Sequence, residues 1–490
     1  MNHKRILYTI GQVIMVEAVF LALPLLVAVI YGEQKGVLAF LIPAVGALVL
    51  GGLLTLFGKK ASFELRSGDG MLIVSGAWLG MSLIGAIPFV IAIDSCSYVD
   101  AFFETVSGFT TTGASVLPAV DILPKCILFW RSFTHWIGGM GVLVFVLSIA
   151  ERSFGKSIHI LRAEMAGPDV DKVAPTARAT TKLLYHLYIA LTVAEIVALL
   201  LCKMPLFDSV CHALATAGTG GFGIKADSLA SYNIAAQIVV TVFMWLFGVS
   251  FNVYFLMLAK RWRDLKKQDE LFYYTGITIV AAVLITVSLT VSGVTSATYS
   301  GDIGKAIRDA FFAVSSMVTT TGFATADYAA WPEFSRAVLF FLMFCGGCIG
   351  STAGGLKVGR IMVMMRNAKN DLRRAVHPRT VKKVSLNGKT LDDATTAGIC
   401  TYFVLYCAII FVTFLLLALE PTQFETDISV AIACVGNIGP AFGEAGPMAG
   451  YAMYSDFATI VLSFAMLLGR LEIYPLLACI MLGPNKKGTN

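Results

Sequence analysis

The sequence predicts an all-α polytopic membrane protein made of four pseudo-repeats of helix, re-entrant loop and helix, plus two extra N-terminal transmembrane helices. Three observations lead there. Of the 490 residues, 57% are hydrophobic and 14% charged, with a mean hydropathy of +0.78; ordinary soluble domains carry about 25% charged residues. Apolar segments long enough to span a bilayer fall at about 6–31, 36–57, 71–93, 124–149, 183–202, 233–258, 271–292, 334–364, 395–419 and 453–482. Between them lie four dips too short or too polar to span, at about 99–115, 206–223, 305–324 and 426–443.

From residue 71 onward the order is span, dip, span, four times over. The glycines placed at the dip tips are Gly113, Gly221, Gly322 and Gly439. They recur at intervals of roughly 100 to 120 residues, the mark of a repeated unit in a transport fold. Residues 1–70 form the N-terminal pair, and the units are 71–150, 151–265, 266–390 (with a broken second helix) and 391–490. The stretch from Ile6 to Tyr31 shows no small-residue cleavage site and reads as a retained helix.

Charge sets the topology. Basic residues collect at Lys59, Lys60 and Arg66, in linker 150–182 (Arg152, Lys156, Arg162, Lys172, Arg178, Lys182) and in linker 259–270 (Lys260, Arg261, Arg263, Lys266, Lys267). They collect again in linker 365–394, from Arg366 to Lys389, and at the termini, Lys4, Arg5, Lys486 and Lys487. Acids such as Asp94, Asp121, Asp227, Asp327, Glu425 and Glu444 fall on the other side. Both termini are therefore expected in the cytoplasm, and all four dips enter from outside. The acids either concentrate cations at the outer mouth or only solvate the loops. The basic linkers suit an acidic or nucleotide-binding partner, or more simply anionic lipid.

Each dip opens as a short helix with an acid near its start, Asp100, Asp208, Asp309 or Asp427. A carboxylate there suits the positive end of the helix dipole, and the negative ends then favour a cation at the tips. The tips read Thr111, Thr112, Gly113; Thr219, Gly220, Gly221; Thr320, Thr321, Gly322; and Asn437, Ile438, Gly439. Glycine takes backbone angles other residues avoid, and non-helical backbone at membrane depth is tolerated where it lines a wet cavity. Rings of carbonyl oxygens replace the water around a potassium ion. Four such tips in register predict a pseudo-fourfold selectivity filter around one central pore. Its expected ligands are the carbonyls of these residues.

The span beginning near Phe334 is interrupted by Gly346, Gly347, Gly350, Ser351, Thr352, Ala353, Gly354 and Gly355, and closes on Lys357. Each glycine weakens a helix by roughly 1 kcal/mol relative to alanine. The stretch reads as a gating loop across the inner pore, with close helix packing as the alternative. Lys357 either faces the cavity or snorkels to the cytoplasmic surface. Arg470, near the middle of the last span, is a functional candidate by position. It acts as an electrostatic barrier, or pairs with Glu472 or with loop carbonyls. Arg131 and His135 suit packing or anchoring of a pore helix, and Glu104 an ion pair in that scaffold.

Other patterns are excluded by context. Gly218 to Gly223 fits G-x-G-x-x-G, but no βαβ unit surrounds it. Gly350 to Lys357 lacks the Gly-Lys-Ser/Thr of a phosphate loop. Cys345 and Cys348 match C-x-x-C without a thioredoxin-like setting. The six histidines are dispersed, which argues against a membrane-embedded enzyme. Nothing in the charge pattern signals nucleic acid.

The four dips, the stretch Gly350 to Lys357 and the segment Gly469 to Ile473 resemble the Trk/Ktr/HKT superfamily of potassium transporters. The extra N-terminal spans and the length are more similar to the bacterial TrkH/TrkG-type pore subunit than to KtrB. That resemblance implies potassium uptake across the bacterial inner membrane, by a homodimer with one pore per subunit. It implies a cytoplasmic TrkA-type partner that binds NAD(H) or ATP, with no organic cofactor on this chain. It also implies a gate formed by residues 346–357 and Arg470. Transport is either passive or coupled as sodium or proton symport. Gly220 and Asn437 depart from the threonines of the other units, which leaves the coordinating atoms open in the second and fourth.

Overall fold

The computed structural model describes residues 2–58, 67–117, 120–141, 177–291, 299, 302–379 and 382–481. Helices α1 (His3–Tyr31) and α2 (Gln34–Gly58) form an antiparallel pair, followed by α3 (Ser67–Ala92), short α4 (Tyr98–Phe109) and α5 (Lys125–Gly139). Next come α6 (Ala177–Leu201), short α7 (Leu206–Gly218), α8 (Ile234–Phe247), α9 (Phe251–Leu258) and the single turn α10 (Trp262–Leu265). Then follow α11 (Asp269–Val291), α12 (Ile303–Val318), α13 (Glu333–Leu342), α14 (Val358–Val376) and a small hairpin, β1 (Ser385–Leu386) and β2 (Lys389–Thr390). The chain closes with α15 (Asp393–Leu417), short α16 (Phe424–Val435), α17 (Asp456–Arg470) and α18 (Tyr474–Met481). The basic linker 150–176, the residues Lys59, Lys60 and Arg66, and Lys486 and Lys487 lie outside the described residues.

The long helices leave large apolar side chains exposed, among them Val19, Leu26 and Ile30 on α1, Val283 and Val287 on α11, and Val404 and Phe411 on α15. In water this would be an aggregating surface; against lipid tails it is the expected one. The helices α4, α7, α12 and α16 show the reverse pattern. Their C-terminal halves are buried all round, from Phe103 to Phe109, Cys211 to Gly218, Phe312 to Val318 and Ser429 to Val435. These four form the protein's interior, wrapped by the long helices.

Ten spans are expected from the sequence, the one beginning near Phe334 interrupted. Among the described residues, six helices are long and apolar enough to cross a membrane: α1, α2, Gly68–Ala92, Lys182–Leu201, α11 and α15. A seventh crossing, expected as one helix over 233–258, is α8 and α9 bent by 89°. The break falls at Gly248, Val249 and Ser250, a small-residue site of the kind that kinks helices. The span expected over 453–482 starts at Asp456 and breaks after Arg470, where Glu472 and Ile473 adopt left-handed backbone (φ +59° and +65°). The span expected over 124–149 ends as helix at Gly139, and its residues from 142 lie outside the described set. The interruption expected after Phe334 is present, with helix ending at Leu342 and resuming at Val358. So the first helix after each linker is continuous (α3, α6, α11, α15), and the helices after the second, third and fourth dips are broken.

Candidate functional site

Each short helix is aimed by its N-terminus. Ser97 caps α4 through the amide of Asp100 (3.1 Å), and Asp302 caps α12 through the amide of Lys305 (2.9 Å). The four acids are tied down by hydroxyls. Asp100 accepts from Ser97 (2.8 Å), Asp208 from Tyr232 (2.8 Å), Asp309 from Tyr299 (3.1 Å) and Asp427 from Tyr454 (2.9 Å). Asp100, Asp208 and Asp427 lie in first turns and serve the helix N-termini, whereas Asp309, expected near a helix start, lies in the second turn of α12 and also pairs with Arg308.

The four helices end in one and the same turn. The amides of Thr111, Thr219, Thr320 and Asn437 donate to the carbonyls of Gly108 (3.1 Å), Thr216 (2.9 Å), Met317 (3.1 Å) and Cys434 (3.3 Å). The following amides, of Thr112, Gly220, Thr321 and Ile438, donate to Ser107, Ala215, Ser316 and Ala433, each at 2.9 Å. This is the paired bond of a Schellman cap. Its left-handed residue is usually glycine, yet here it is Thr111, Thr219, Thr320 and Asn437, with φ of +55°, +55°, +55° and +54°. For a β-branched residue that conformation is strained by about 1–3 kcal/mol, the kind of strain that collects at functional sites.

Two residues on, Gly113, Gly221, Gly322 and Gly439 again have positive φ, from +76° to +93°. Their surroundings close in a circle. A Cβ on Gly113 would overlap the carbonyl oxygen of Gly220, one on Gly221 that of Thr321, one on Gly322 that of Ile438, and one on Gly439 that of Thr112. Each tip thus leans on the residue before the next tip's glycine, and the fourth returns to the first. The sequence register of the four tips is the register in space. A vestibule lies on the glycine side, lined by all four glycines and by Ser115, Arg131, Lys225 and Tyr451.

No carboxylate lines that vestibule among the described residues. The acids expected around the mouth are engaged elsewhere: Asp94 with Lys35 (2.9 Å), Asp121 with the amide of Ala226 (3.0 Å), and Glu425 with Arg336. The two vestibule cations are also occupied. Lys225 lies over the Tyr232 ring. Arg131 pairs with Glu104 (3.2 Å), both buried, and donates to the Gly223 carbonyl (3.1 Å) and Ser115 (3.2 Å). Glu104 in turn accepts from Ser115 (2.5 Å) and the amide of Val116 (2.8 Å), so the pair braces the chain just after two tips. Glu104→Ala is expected to remove about 3–5 kcal/mol of stability, the penalty for an unpaired buried guanidinium. A melting temperature in detergent close to that of the wild type would contradict this.

His135 accounts for the odd glycine of the second tip. Its Nδ1 donates to the carbonyl of Gly108 (2.9 Å) and its Nε2 accepts from the amide of Phe222 (3.3 Å), which fixes the neutral tautomer. A Cβ on Gly220 would overlap the imidazole ring. Asn437, the other departure, turns its amide to Thr112 (3.0 Å) and to the Met466 carbonyl (3.0 Å). Among the described residues, Thr111 Oγ1 and Asn437 Oδ1 are buried with no hydrogen-bond partner.

On the far side of the ring lies the glycine-rich stretch. The amide of Gly354 donates to Thr320 Oγ1 (2.6 Å), which places the stretch directly against a tip. Gly346, Gly350, Gly355 and Lys357 have positive φ, +76°, +76°, +70° and +70°. The stretch fills the break between α8 and α9: Cys348 donates to the Gly248 carbonyl (2.9 Å), and Phe251 to that of Gly350 (3.0 Å). Gly347 and Ser351 meet at the same place, and Lys357 turns back onto the Ala353 carbonyl. Lys357 is buried and does not snorkel.

Arg470 donates to the carbonyls of Thr352 (3.0 Å), Gly138 (2.8 Å) and Gly139 (3.2 Å). It joins the glycine-rich stretch to the C-terminal end of α5. The expected partner Glu472 binds Arg360 instead. The glycine-rich stretch, the break between α8 and α9, and the ends of α5 and α17 therefore meet beneath the tips.

Apolar helices that bring four helix ends and four strained backbone turns to one axis define an ion-transport architecture. Residues 38–487 match the family model TrkH, described as a cation transport protein, and the chain belongs to this family. It is 34% identical over 486 residues to the Trk system potassium uptake protein TrkH of Escherichia coli K12, covering 97% of this chain and 98% of that one. It is 32% identical over 483 residues to TrkG of the same organism, covering 97% of each. The crystal structure of the potassium transporter TrkH from Vibrio parahaemolyticus superposes with a TM-score of 0.86 at 31% identity, covering 99% of both chains.

Proposed function

We propose that this protein takes up potassium across the bacterial inner membrane through the four-tip ring, which acts as its selectivity filter. The observation that carries this reading is the cyclic closure of Gly113, Gly221, Gly322 and Gly439 on the carbonyls of Gly220, Thr321, Ile438 and Thr112. A potassium ion on the axis is coordinated by carbonyls of Thr111, Thr112, Thr219, Gly220, Thr320, Thr321, Asn437, Ile438 and the four glycines, which replace its hydration shell. The unpartnered oxygens of Thr111 and Asn437 add donors on the inner side. The pore units are 71–150, 151–265, 266–390 and 391–490, with 1–70 as an appendage.

The gate in this proposal is Gly346, Gly347, Gly350, Ser351, Thr352, Gly354, Gly355 and Lys357, clamped by Arg470. Both termini and the basic linkers face the cytoplasm, following the lysine and arginine bias. A homodimer with a TrkA-type NAD(H)- or ATP-binding partner on that face completes the assembly, and the chain itself carries no organic cofactor and no enzymatic step. The basic linkers support a partner on that face.

The test is rubidium tracer uptake into proteoliposomes holding the full chain, with potassium and sodium as competitors. Strong competition by potassium and weak competition by sodium is the expected result. Equal competition by the two ions contradicts a potassium filter.

A further inference from the structure

The glycine-rich stretch is held at both ends by one carboxylate. Glu270, in the first turn of α11, is 2% exposed, and its Oε1 accepts from the amide of Ile349 (2.7 Å) and from that of Gly359 (2.9 Å). Ile349 lies within the stretch, whereas Gly359 is in the first turn of α14. The carboxylate thus sits on the positive end of α14, where amides lack helical partners. Together the two bonds tie residues 349 and 359 to one carboxylate. A Cβ on Gly359 would crowd the same carboxylate.

The other face of this anchor reaches the basic side of the protein. The hairpin β1–β2 turns at Asn387 and Gly388, both with positive φ, as in a two-residue Asn-Gly turn. Asn387 and the start of α11 exchange hydrogen bonds. The amide of Glu270 donates to Asn387 Oδ1 (3.1 Å), Asn387 Nδ2 to Glu270 Oε2 (3.4 Å), and the Asn387 amide to Asp269 Oδ1 (2.6 Å). Arg366 on α14 closes the group, bonding Asp269 (2.5 Å) and the Ser385 carbonyl. Gly388, Lys389 and Thr390 are exposed beside this cluster.

We propose that Glu270 is the positioning residue of the intramembrane loop, and that it couples the loop to the Asn387–Gly388 hairpin. This rests on the reading of the loop as the gate. A partner that displaces the exposed hairpin pulls on Asn387 and Glu270 first, and so loosens both ends of the loop in one movement. A glutamine in its place keeps an oxygen with two lone pairs but loses the charge, and hydrogen bonds to charged groups are roughly twice as strong. Its amide group also meets Asn387 Nδ2 with a second donor where the carboxylate accepts.

The test uses the full chain in proteoliposomes without any partner protein, and measures rubidium tracer uptake with potassium and sodium as competitors. Glu270→Gln is expected to raise uptake roughly tenfold, within the range of ordinary coupling energies, while leaving the potassium-over-sodium preference unchanged. Asn387→Ala, at the rim of the protein, is expected to raise it less. In the double variant the two effects are expected to be non-additive, as for residues that act in one network. A merely structural role predicts lower uptake and a lower melting temperature with no such split. Arg470→Ala is the control for the gate itself. If Arg470→Ala raises uptake and neither Glu270→Gln nor Asn387→Ala does, the coupling is overturned and the gate reading survives. If none of the three raises uptake, both fall. If Glu270→Gln fails to fold, Asn387→Ala alone decides, and unchanged uptake in it overturns the coupling. Additive effects in the double variant also overturn the link to the hairpin.

Discussion

Gly113→Ser is expected to lose most of the preference for potassium over sodium while still conducting. Gly113 sits at φ +79°, and any Cβ there overlaps the carbonyl oxygen of Gly220. The serine can be accommodated only if the first tip turns or the second tip's carbonyl swings away, and either change breaks the circle of oxygens. Left-handed strain of about 1–3 kcal/mol on a non-glycine residue corresponds to roughly tenfold or more in an equilibrium. A selectivity loss of that size is therefore expected from this one position. The same substitution at Gly221, Gly322 or Gly439 is expected to act in the same direction, because each meets an equivalent carbonyl. Unchanged competition by potassium and sodium in all four variants would mean that the ring does not select the ion.

Arg470→Ala is expected to raise uptake in the absence of any partner. The guanidinium holds three carbonyls, two at the end of α5 and one in the loop. Hydrogen bonds from a charged donor contribute about 1.5–3 kcal/mol each, so losing them frees the loop on the side opposite Glu270. A rise of roughly tenfold to a hundredfold follows if the closed loop is favoured by one such bond, that to Thr352. Arg470→Lys separates two roles. Lysine keeps the charge but lacks the planar fork that reaches several acceptors. If Arg470 is a clamp, the lysine variant leaks almost as the alanine variant does. If it is chiefly an electrostatic barrier, the lysine variant stays closed. Uptake at wild-type level in the alanine variant, with the protein intact, removes Arg470 from the gate.

Much of this arrangement is legible in the sequence because it is written locally. The tips are short words with a glycine that only a left-handed turn requires, and all four recur at one interval. The register chosen from Thr111, Thr219, Thr320 and Asn437 coincides with four matching φ angles. The glycine density around residues 346–355 marks the interrupted helix for the same reason. The break between α8 and α9 is less visible, since Gly248 and Ser250 are only two small residues in a long apolar run. It is imposed from outside, by the loop of the third unit that donates to the Gly248 carbonyl. The partners of Arg470 lie on other units and those of Glu270 about 80 to 120 residues along the chain, and most are backbone atoms, which have no residue signature. For Arg470, bonding to loop carbonyls was one of the readings open from sequence, and Thr352 bears it out, while Glu472 turned to Arg360. His135 reads from sequence as a packing residue, yet its contacts with Gly108 and Phe222 put it against two tips at once. Acids counted on one side of the membrane suggest an electrostatic funnel. Their individual bonds show helix caps, tyrosine partners and ion pairs instead.

The four-part filter is tested most directly by locating the ion. Crystals of the full-length protein grown in rubidium, with anomalous diffraction measured at the rubidium edge, would place it. A peak on the axis between Gly113, Gly221, Gly322 and Gly439, within coordination distance of the tip carbonyls and lost when sodium replaces rubidium, is the expected result. A ring that stays empty while rubidium binds elsewhere would contradict it.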